Sequence, residues 1–475
     1  MKKAFVVLSA MLLLTLMACG GGDSTPLPLP TPTPTTTTTP LSSAKAITAF
    51  SLNGVAGTIN ETGKTIAVAM PSGTNVTALV ATFTTTGVSV EVGSTLQETG
   101  TTANNYTSPV IYTVTAEDAT TQNYTVTVTL PALLVFVTST THDGNLGGVS
   151  GGDAICQARA TAASLPGTYK AWLSDNTTDA YCHVQGFTGK KAANCGQGTL
   201  PVAAGPWVRT DNYPFTGTID KLVTGQIFAP VRYNESGVLV TFTEYYFTDT
   251  KIDGTLGNSG CNNWTSNGAV NALYGSTNGA TGGWTASGGS LCSAPSRLLC
   301  FQTGTGGPLP IITAPPASKK VFVTSTTYKG DLGGISGGDA KCQARAAAAG
   351  LSGTYKAWLS DGTHDAKDNL TSAGPWYRLD GVKVADTKAA LAVMPLFSAI
   401  SQTETGAYFN AQYYQVWSGT DASGIKIVGK HCNNWINNTA AFSGEMGLAS
   451  RSDNDWASWT EITCDNEGAL YCFED

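Results

Sequence analysis

Between residues 44 and 131, apolar and polar residues alternate in short runs. The alternation is clearest in the stretches 47–52, 65–69 and 79–83, and a period of two is typical of strands with one buried face. Residues 112–130 repeat it on both sides of a polar turn, which predicts a hairpin. The pattern therefore predicts a small all-β module.

From residue 132 onward, short apolar runs are separated by long loops rich in Gly, Ser, Thr and Asn. The runs at 135–140 and 169–173 predict strands, whereas an alanine-rich run at 155–163 predicts a short helix. Before this helix and its later counterpart, an acidic residue follows a serine by three positions, which predicts a capping box. The two pairs are Ser150 with Asp153 and Ser336 with Asp339.

Four motifs recur in the same order after residue 131, so this part of the chain consists of two copies of one unit. The motifs VFVTSTT, GTYKAWLSD, GPW and CNNW begin at residues 135, 167, 205 and 261, and again at residues 321, 353, 374 and 432. A Gly/Pro-rich linker at 303–318 separates the copies. We therefore place copy 1 at residues 132–302 and copy 2 at residues 319–475.

A basic N-terminus precedes an apolar run at 5–16 and the string LMACG, whose cysteine is Cys19. This arrangement resembles the lipobox of bacterial lipoproteins, in which the cysteine is acylated and the bond before it is cut. The resemblance implies a signal peptide at 1–18 and a lipid-anchored Pro/Thr-rich tether at 19–43. Acyl chains such as palmitate stabilise membrane binding by about 0.8 kcal/mol per buried CH₂. Since Gly20 resembles an outer-membrane sorting signal, we expect a lipid-anchored outer-membrane protein at the cell surface.

Composition and charge narrow the possible partners. Charged residues make up only 12% of the chain, and 33 acidic residues against 26 basic ones give a net charge of −7. With this charge balance, we do not expect a basic surface that could bind phosphate groups, so nucleic acid is excluded as a partner. The apolar share of 41% is enough for folded cores and argues against extensive disorder.

Cysteine counts indicate disulfides rather than metal sites. Of eleven cysteines, ten remain after Cys19, six in copy 1 and four in copy 2. Even counts in an exported chain predict disulfide bonds. Cys182 and Cys195 are expected to pair with each other, because both lie in a segment that copy 2 lacks. The close Cys or His pairs of a zinc site are absent from the sequence, and we expect no metal or other cofactor.

The order of motifs in each copy carries a resemblance to known families. These motifs are similar to the endostatin domain of collagens, which has a C-type-lectin-like fold. They are SGGDA-x-CQARA, GTYKAWLSD, a late WSGTDASG at 417–424, CNNW and a terminal cysteine pair. They are also similar to an uncharacterised bacterial domain family. The module at 44–131 resembles the Ig-like β-sandwiches of bacterial surface proteins. Together these resemblances imply a multidomain chain, an all-β Ig-like sandwich followed by two α+β C-type-lectin-like domains.

The same resemblance implies a set of disulfides, and a lectin hypothesis supplies candidate ligand-binding positions. The nested disulfides would be Cys156–Cys300, Cys261–Cys292, Cys342–Cys472 and Cys432–Cys464. Sugar-binding lectins of this fold hold calcium on Asn, Asp or Glu side chains. The candidate ligand-binding residues, each close to a tryptophan, are Asn262, Asn263, Asn433, Asn434, Asp453 and Asp455. None reproduces the Trp-Asn-Asp calcium motif, so calcium is not predicted, and the competing interpretation is that these side chains satisfy loop backbone.

The sequence predicts a binding protein rather than an enzyme. It contains no G-x-S-x-G, H-E-x-x-H or P-loop motif. A lipid anchor, a stiff tether, a spacer module and two disulfide-bonded copies predict a surface-displayed, non-catalytic protein, adhesin-like or lectin-like. Its ligand would be an extracellular glycan, or a matrix or envelope protein. Two alternatives stay open: a structural or assembly component of the cell envelope with no soluble ligand and, behind it, a secreted-type hydrolase.

Overall fold

The computed structural model describes residues 39–71, 73–240, 244–258, 260–409, 411 and 414–475. The expected signal peptide, Cys19 and most of the tether lie outside these residues. In the described part of the chain, no helix has the length and apolar character that crossing a bilayer requires. Residues 43–475 form one compact unit.

The first part of this unit consists of two sheets that share one hydrophobic core. Its strands are β1 (Ile47–Leu52), β2 (Val55–Ala56), β3 (Thr58–Asn60), β4 (Thr65–Ala69), β5 (Leu79–Thr85), β6 (Ser89–Val92), β7 (Thr95–Leu96), β8 (Ala103–Asn104), β9 (Val110–Thr115) and β10 (Thr121–Thr129). The sheet orders are β2-β1-β5-β8 and β3-β4-β10-β9-β6-β7. The predicted hairpin is confirmed, because β9 and β10 pair antiparallel with Tyr112 opposite Tyr124. Both rings are fully buried, as the alternation requires.

Copy 1 is built on one eight-stranded sheet. Its strands are β11 (Leu133–Val137), β12 (Tyr169–Ala171), β13 (Trp207–Arg209), β14 (Pro214–Thr216), β15 (Tyr245–Phe247), β16 (Asn271–Ser276), β17 (Gly288–Leu291) and β18 (Arg297–Gln302). Its helices are α1 (Val149–Ala162), α2 (Ala180–His183), α3 (Ile219–Leu222) and α4 (Cys261–Trp264), with a 3₁₀ segment at Lys191–Gly196. The strand order is β14-β13-β11-β18-β15-β16-β17, and β12 pairs with β18.

Copy 2 repeats this topology strand for strand. Its strands are β19 (Lys319–Val323), β20 (Tyr355–Ala357), β21 (Trp376–Tyr377), β22 (Lys383–Ala385), β23 (Gln415–Trp417), β24 (Ser443–Leu448), β25 (Thr460–Thr463) and β26 (Ala469–Glu474). Its helices are α5 (Gly334–Ala348), α6 (Ala366–Asn369) and α7 (Cys432–Trp435), with 3₁₀ segments at Ala389–Ala392 and Asn454–Trp456. The order is β22-β21-β19-β26-β23-β24-β25, with β20 on β26. The described chain is therefore β-rich, with several sheets and few helices.

Five disulfides lie among the described residues. Within copy 1, Cys156–Cys300 joins α1 to β18 across 144 residues. The matching bond in copy 2 spans 130 residues. All five join the pairs expected from the sequence: Cys156–Cys300, Cys182–Cys195, Cys261–Cys292, Cys342–Cys472 and Cys432–Cys464.

The predicted capping boxes are wrong. Helix α1 begins at Val149, so Ser150 already lies inside it, and neither α1 nor α5 has a side-chain cap. The acidic residue instead bonds the neighbouring strand: Asp153 Oδ1 accepts the backbone N–H of Ala171 at 2.9 Å. In copy 2, Asp339 makes the same bond to β20 at 2.8 Å. The acidic residue therefore joins the helix to the strand, which the spacing alone did not distinguish from a cap.

The two copies contact each other through matching surfaces. Gly279 of copy 1 forms an antiparallel bridge with Arg451 of copy 2. Around that bridge, the Ala280 N–H donates to Ser450 O at 2.8 Å, and the Ser452 N–H donates to Asn278 O at 3.2 Å. Two-way backbone bonding of this kind fixes the copies relative to each other and creates clefts to which both contribute.

Candidate functional site

One tryptophan stands apart from the others in its exposure. All ten lie among the described residues; nine are fully buried, whereas Trp459 keeps 37% of its surface exposed. It directly precedes β25, and its backbone N–H donates to Met446 O at 2.8 Å, which ties it to β24. A large ring held at the surface by backbone bonds exposes aromatic area that a ligand can contact.

Two tyrosines of copy 1 meet this tryptophan of copy 2 in one cleft. Tyr245 begins β15 and is 38% exposed, and its neighbour Tyr246 is fully buried, as the alternation of a strand requires. Tyr274 lies on the adjacent β16, and its ring centre is 4.5 Å from that of Tyr245 at an angle of 59°. The three rings therefore form a partly exposed aromatic surface between the copies.

A polar group built on Arg451 lies beside these rings. The Arg451 Nε donates to Asp453 Oδ1 at 3.1 Å, and Nη2 contacts the other oxygen of the same carboxylate. Nη1 reaches across to copy 1 and donates to Ser287 Oγ at 2.7 Å. Because its three nitrogens are all engaged, the guanidinium is fixed in position. We call the surface formed by Tyr245, Tyr274, Ser287, Arg451, Asp455 and Trp459 the inter-copy cleft.

Asp455 is the carboxylate of this group that faces the cleft. Its side chain is 37% exposed, and one oxygen lies 3.4 Å from Arg451 Nη2. Burial and the nearby charge of Asp453 raise the pKa of Asp455, while Arg451 opposes that shift. Arg451 itself has a raised pKa, because the two carboxylates outweigh the effect of its burial. The cleft therefore holds a permanent cation and a carboxylate that can accept hydrogen bonds.

The inter-copy cleft has a volume of about 130 Å³. This is below the roughly 300–1,000 Å³ of enclosed small-molecule sites. The cleft would therefore contact one edge or face of a ligand and would not enclose it. An aromatic face next to hydroxyl, carboxylate and guanidinium groups contacts apolar C–H and polar O–H groups of one molecule at the same time. Such a surface suits an amphipathic ring with many hydroxyls.

Of the residues predicted from the sequence, only Asp455 lines this cleft. Asp453 lies behind it, 8% exposed and paired with Arg451. The asparagines predicted with them, in the two CNNW motifs, do not line it. Among the described residues, no group of three or more His, Cys, Asp or Glu side chains is placed to hold a metal ion.

The asparagines belong to two turns of left-handed helix. In copy 1, φ is positive at all four residues, from 50° at Asn262 to 65° at Trp264. Left-handed residues other than glycine cost about 1–2 kcal/mol each, and Asn tolerates the conformation best. Asn263 Oδ1 accepts the N–H of Asn176 at 2.9 Å, while Trp264 Nε1 donates to Ser174 O at 2.8 Å. These bonds and the disulfide at Cys261 hold the turn.

Copy 2 forms the same turn with the same kind of support. Asn434 Oδ1 accepts the N–H of Gly362 at 2.8 Å, and Trp435 Nε1 donates to Ser360 O at 2.7 Å. Asn262 and Asn433 are exposed. Asn263 and Asn434 thus satisfy loop backbone, the competing interpretation of these residues, and their predicted role in ligand binding stays a prediction.

Five residues of the cleft were not predicted from the sequence: Tyr245, Tyr274, Ser287, Arg451 and Trp459. One usable indication was the Tyr245-Tyr246 pair, because two aromatic residues in succession on a strand must point to opposite faces. Nothing in the sequence indicated that a strand of copy 1 would lie beside a loop of copy 2. The cleft depends on that contact.

Comparisons with known proteins bear on both parts of the chain. Residues 139–282 and 325–452 match the family described as "Protein of unknown function (DUF1554)". Residues 47–128 match the family described as "SGBP, N-terminal". No curated protein matches the chain.

Two solved structures show weak likeness. A protein of Bacteroides fragilis described as secreted is 17% identical over 19% of this chain and 97% of its own, with a TM-score of 0.15. A protein of Bacteroides thetaiotaomicron described as a glycoside hydrolase is 16% identical over 57% of this chain and 86% of its own, with a TM-score of 0.16. At these TM-scores neither likeness bears on fold or function.

Proposed function

The chain belongs to the DUF1554 family of proteins of unknown function, so we propose its function from the inter-copy cleft: it is a non-catalytic protein that binds glycans outside the cell. The observation that carries this proposal is the aromatic surface of Trp459, Tyr245 and Tyr274 beside the fixed Arg451–Asp455 pair. A fold alone does not imply a function, whereas the side chains of a site limit the ligands that it can bind.

Sugar rings have the chemistry that this surface fits. A pyranose ring presents C–H bonds on its faces, and these carry a small positive charge that matches the negative face of an aromatic ring. Its rim carries hydroxyl groups, which can donate to Asp455 and accept from Arg451. Charge-assisted hydrogen bonds of this kind are about twice as strong as neutral ones. The two sets of contacts together orient a ring in the cleft.

Location and domain roles complete the proposal. The match of residues 47–128 to the SGBP N-terminal family supports a role in glycan binding at the cell surface. The lipobox-like string at Cys19 supports anchoring by acyl chains in the outer membrane. The tether and an Ig-like N-terminal module would then act as a spacer, and the two copies, with C-type-lectin-like folds, would present the cleft.

Binding of the purified full-length protein to an array of neutral glycans tests this function. Trp459→Ala removes the ring that copy 2 contributes, and we expect affinity to fall about tenfold, since an aromatic contact contributes about 1.5 kcal/mol. Phe442→Ala is the matched control, because Phe442 is a 40% exposed aromatic residue of copy 2 that does not line the cleft.

Two results would contradict the proposal. One is the absence of any glycan bound by the protein with its disulfides intact, which would favour a structural component of the envelope. The other is equal loss of affinity in both variants, which would place binding elsewhere. We expect the same affinity with calcium and with a chelator, because no described group of side chains is arranged as a metal site.

A further inference from the structure

A second and larger cavity lies between the two copies. Its volume is about 360 Å³, within the range of small-molecule sites. Two lining residues, Leu239 and Val393, are 56% and 67% exposed, so the cavity is reached from the surface. We call it the arginine cavity and define it by Arg209, Arg232, Tyr233, Asp386, Val393 and Phe397.

The two arginines of this cavity differ in how they are paired. Arg209 holds Asp211 with two nitrogens, at 3.0 and 2.6 Å, and donates to Pro230 O with the third. Arg232 is only 6% exposed, yet no carboxylate of the described residues lies within ion-pair distance of it. Its Nη2 donates to the Ser452 hydroxyl of copy 2, and its Nε has no hydrogen-bond partner among the described residues.

Three acidic residues of this region form ion pairs with other cations. Asp211 pairs with Arg209, Asp386 with Lys383, and Asp453 with Arg451. A buried charge without a partner is strongly unfavourable. Burial, together with the charge of Arg209, lowers the pKa of Arg232 to about 9, although the charge of Asp453 partly opposes this shift. The site lacks one negative charge.

Comparison of the copies shows that the fold does not require this arginine. The stretch VRYNE at 231–235 corresponds to ISQTE at 400–404, so Ser401 stands where copy 1 has Arg232. In copy 2, that serine accepts a hydrogen bond from Arg378 at 2.9 Å. Copy 1 therefore carries a buried cation at a position that the same fold fills with a neutral residue. The packing of the fold therefore does not explain the extra cation.

We propose that the arginine cavity binds the oxyanion of an acidic sugar, a carboxylate or a sulfate ester, with Arg232 as its counter-ion. A guanidinium presents a planar pair of donors that matches an oxyanion. One unpaired cation matches one negative charge, and the exposed carboxylate of Asp386 would oppose a doubly charged phosphate. Tyr233 and Phe397 offer aromatic surface for the ring that carries the anion.

This inference rests on the proposed function for the sugar class of the ligand. It also relates the two sites, because successive residues of copy 2 serve them: Arg451 lines the inter-copy cleft, and Ser452 bonds Arg232. An acidic glycan would then be recognised at two places on the same junction. The cleft would take a neutral ring, and the cavity would take the charged one.

Ligand-induced change in the melting temperature of the full-length protein tests the cavity directly. The probes are D-glucuronate for the carboxylate and D-glucose 6-sulfate for the sulfate, with D-glucose and methyl glucuronate as neutral controls at equal ionic strength. We expect at least one acidic sugar to raise the melting temperature, since a ligand that binds only the native state stabilises it. We expect the neutral sugars, at the same concentration, to have no such effect.

Variants assign the effect to Arg232. Arg232→Ser introduces the residue that copy 2 has at this position, and we expect affinity for the acidic sugar to fall at least about tenfold. Arg232→Lys should keep part of the affinity, because it keeps the charge and loses the planar pair of donors. Lys221→Ser is the control for net charge, since Lys221 is an exposed residue of copy 1 outside the cavity.

Three outcomes would overturn the inference. These are equal shifts with acidic and neutral sugars, an acidic-sugar shift that survives in Arg232→Ser, and an unliganded Arg232→Ser protein that is less stable with no difference in ligand response. Failure of the proposed function is separable, because Trp459→Ala affects neutral-glycan binding in the cleft and leaves the acidic-sugar shift in place. If no sugar of either kind binds, both proposals fall.

Discussion

The outer disulfide of copy 1 should stabilise the protein more than the short disulfide in the same copy. Cys156–Cys300 closes 144 residues, whereas Cys182–Cys195 closes 13. In the chain-entropy model, the stabilisation grows with the logarithm of loop length, which gives about 5 kcal/mol for the first bond and about 3 kcal/mol for the second. Replacing both cysteines of either pair with alanine should therefore lower the free energy of unfolding by those amounts.

The comparison between the two double variants removes most other contributions. All four cysteines are at most 1% exposed, so each variant loses the same number of buried sulfur atoms. The expected difference of about 2 kcal/mol then reflects the unfolded chain alone. Urea unfolding followed by tryptophan fluorescence measures it, with the wild-type protein as reference. Equal losses, or a larger loss for the short bond, would contradict this prediction and show that the effect arises in the native structure.

Two further predictions concern backbone strain and pH. Asn433 is exposed and has a φ of 53°, so Asn433→Ala should lower the free energy of unfolding by about 1 kcal/mol. Asn433→Gly should not lower it, because glycine adopts this conformation without strain. Thermal unfolding of both variants measures the difference, and equal losses would contradict the prediction. Burial alone would raise the pKa of Glu404, but hydrogen bonds from Ser325 and Arg345 outweigh it and lower that pKa. A lowered carboxylate pKa contributes stability that is present above the pKa of the unfolded chain, near 4.5, and is lost as pH falls through the folded-state value. We expect the urea midpoint to decline below about pH 4.5 and Glu404→Gln to decline less; identical slopes would contradict the assignment.

Much of the fold could be predicted from local patterns. The strands of the first module follow a period of two, so Phe50 and Leu52 were expected to be buried together, and they are. The repeat was visible because identical strings recur, and identical strings in identical order fold alike. The capping boxes failed because a serine and an acid three residues apart also suit a helix that packs on a strand, as Asp153 does with Ala171.

The candidate site was less predictable. Asp455 was identified because an acid next to a tryptophan is chemically conspicuous, and it does line the inter-copy cleft. Tyr245 and Trp459 were missed, because surface aromatics look like core aromatics until the fold exposes them. Arg232 did not stand out in the sequence either. Whether an arginine lacks a carboxylate partner depends on the residues that surround it in the fold.

Patterns in the sequence were sufficient to predict the all-β first module, the two copies and the pairing of Cys182 with Cys195. These follow from periodicity, repetition and counting, which need no knowledge of distant contacts. Two contacts became visible only in the folded protein: Tyr245 lies in one cleft with Trp459, and Arg232 reaches Ser452 across the junction. Both contacts depend on how one copy docks on the other. That docking is set by surface complementarity and backbone bonds between residues far apart in the chain, and no local pattern records it.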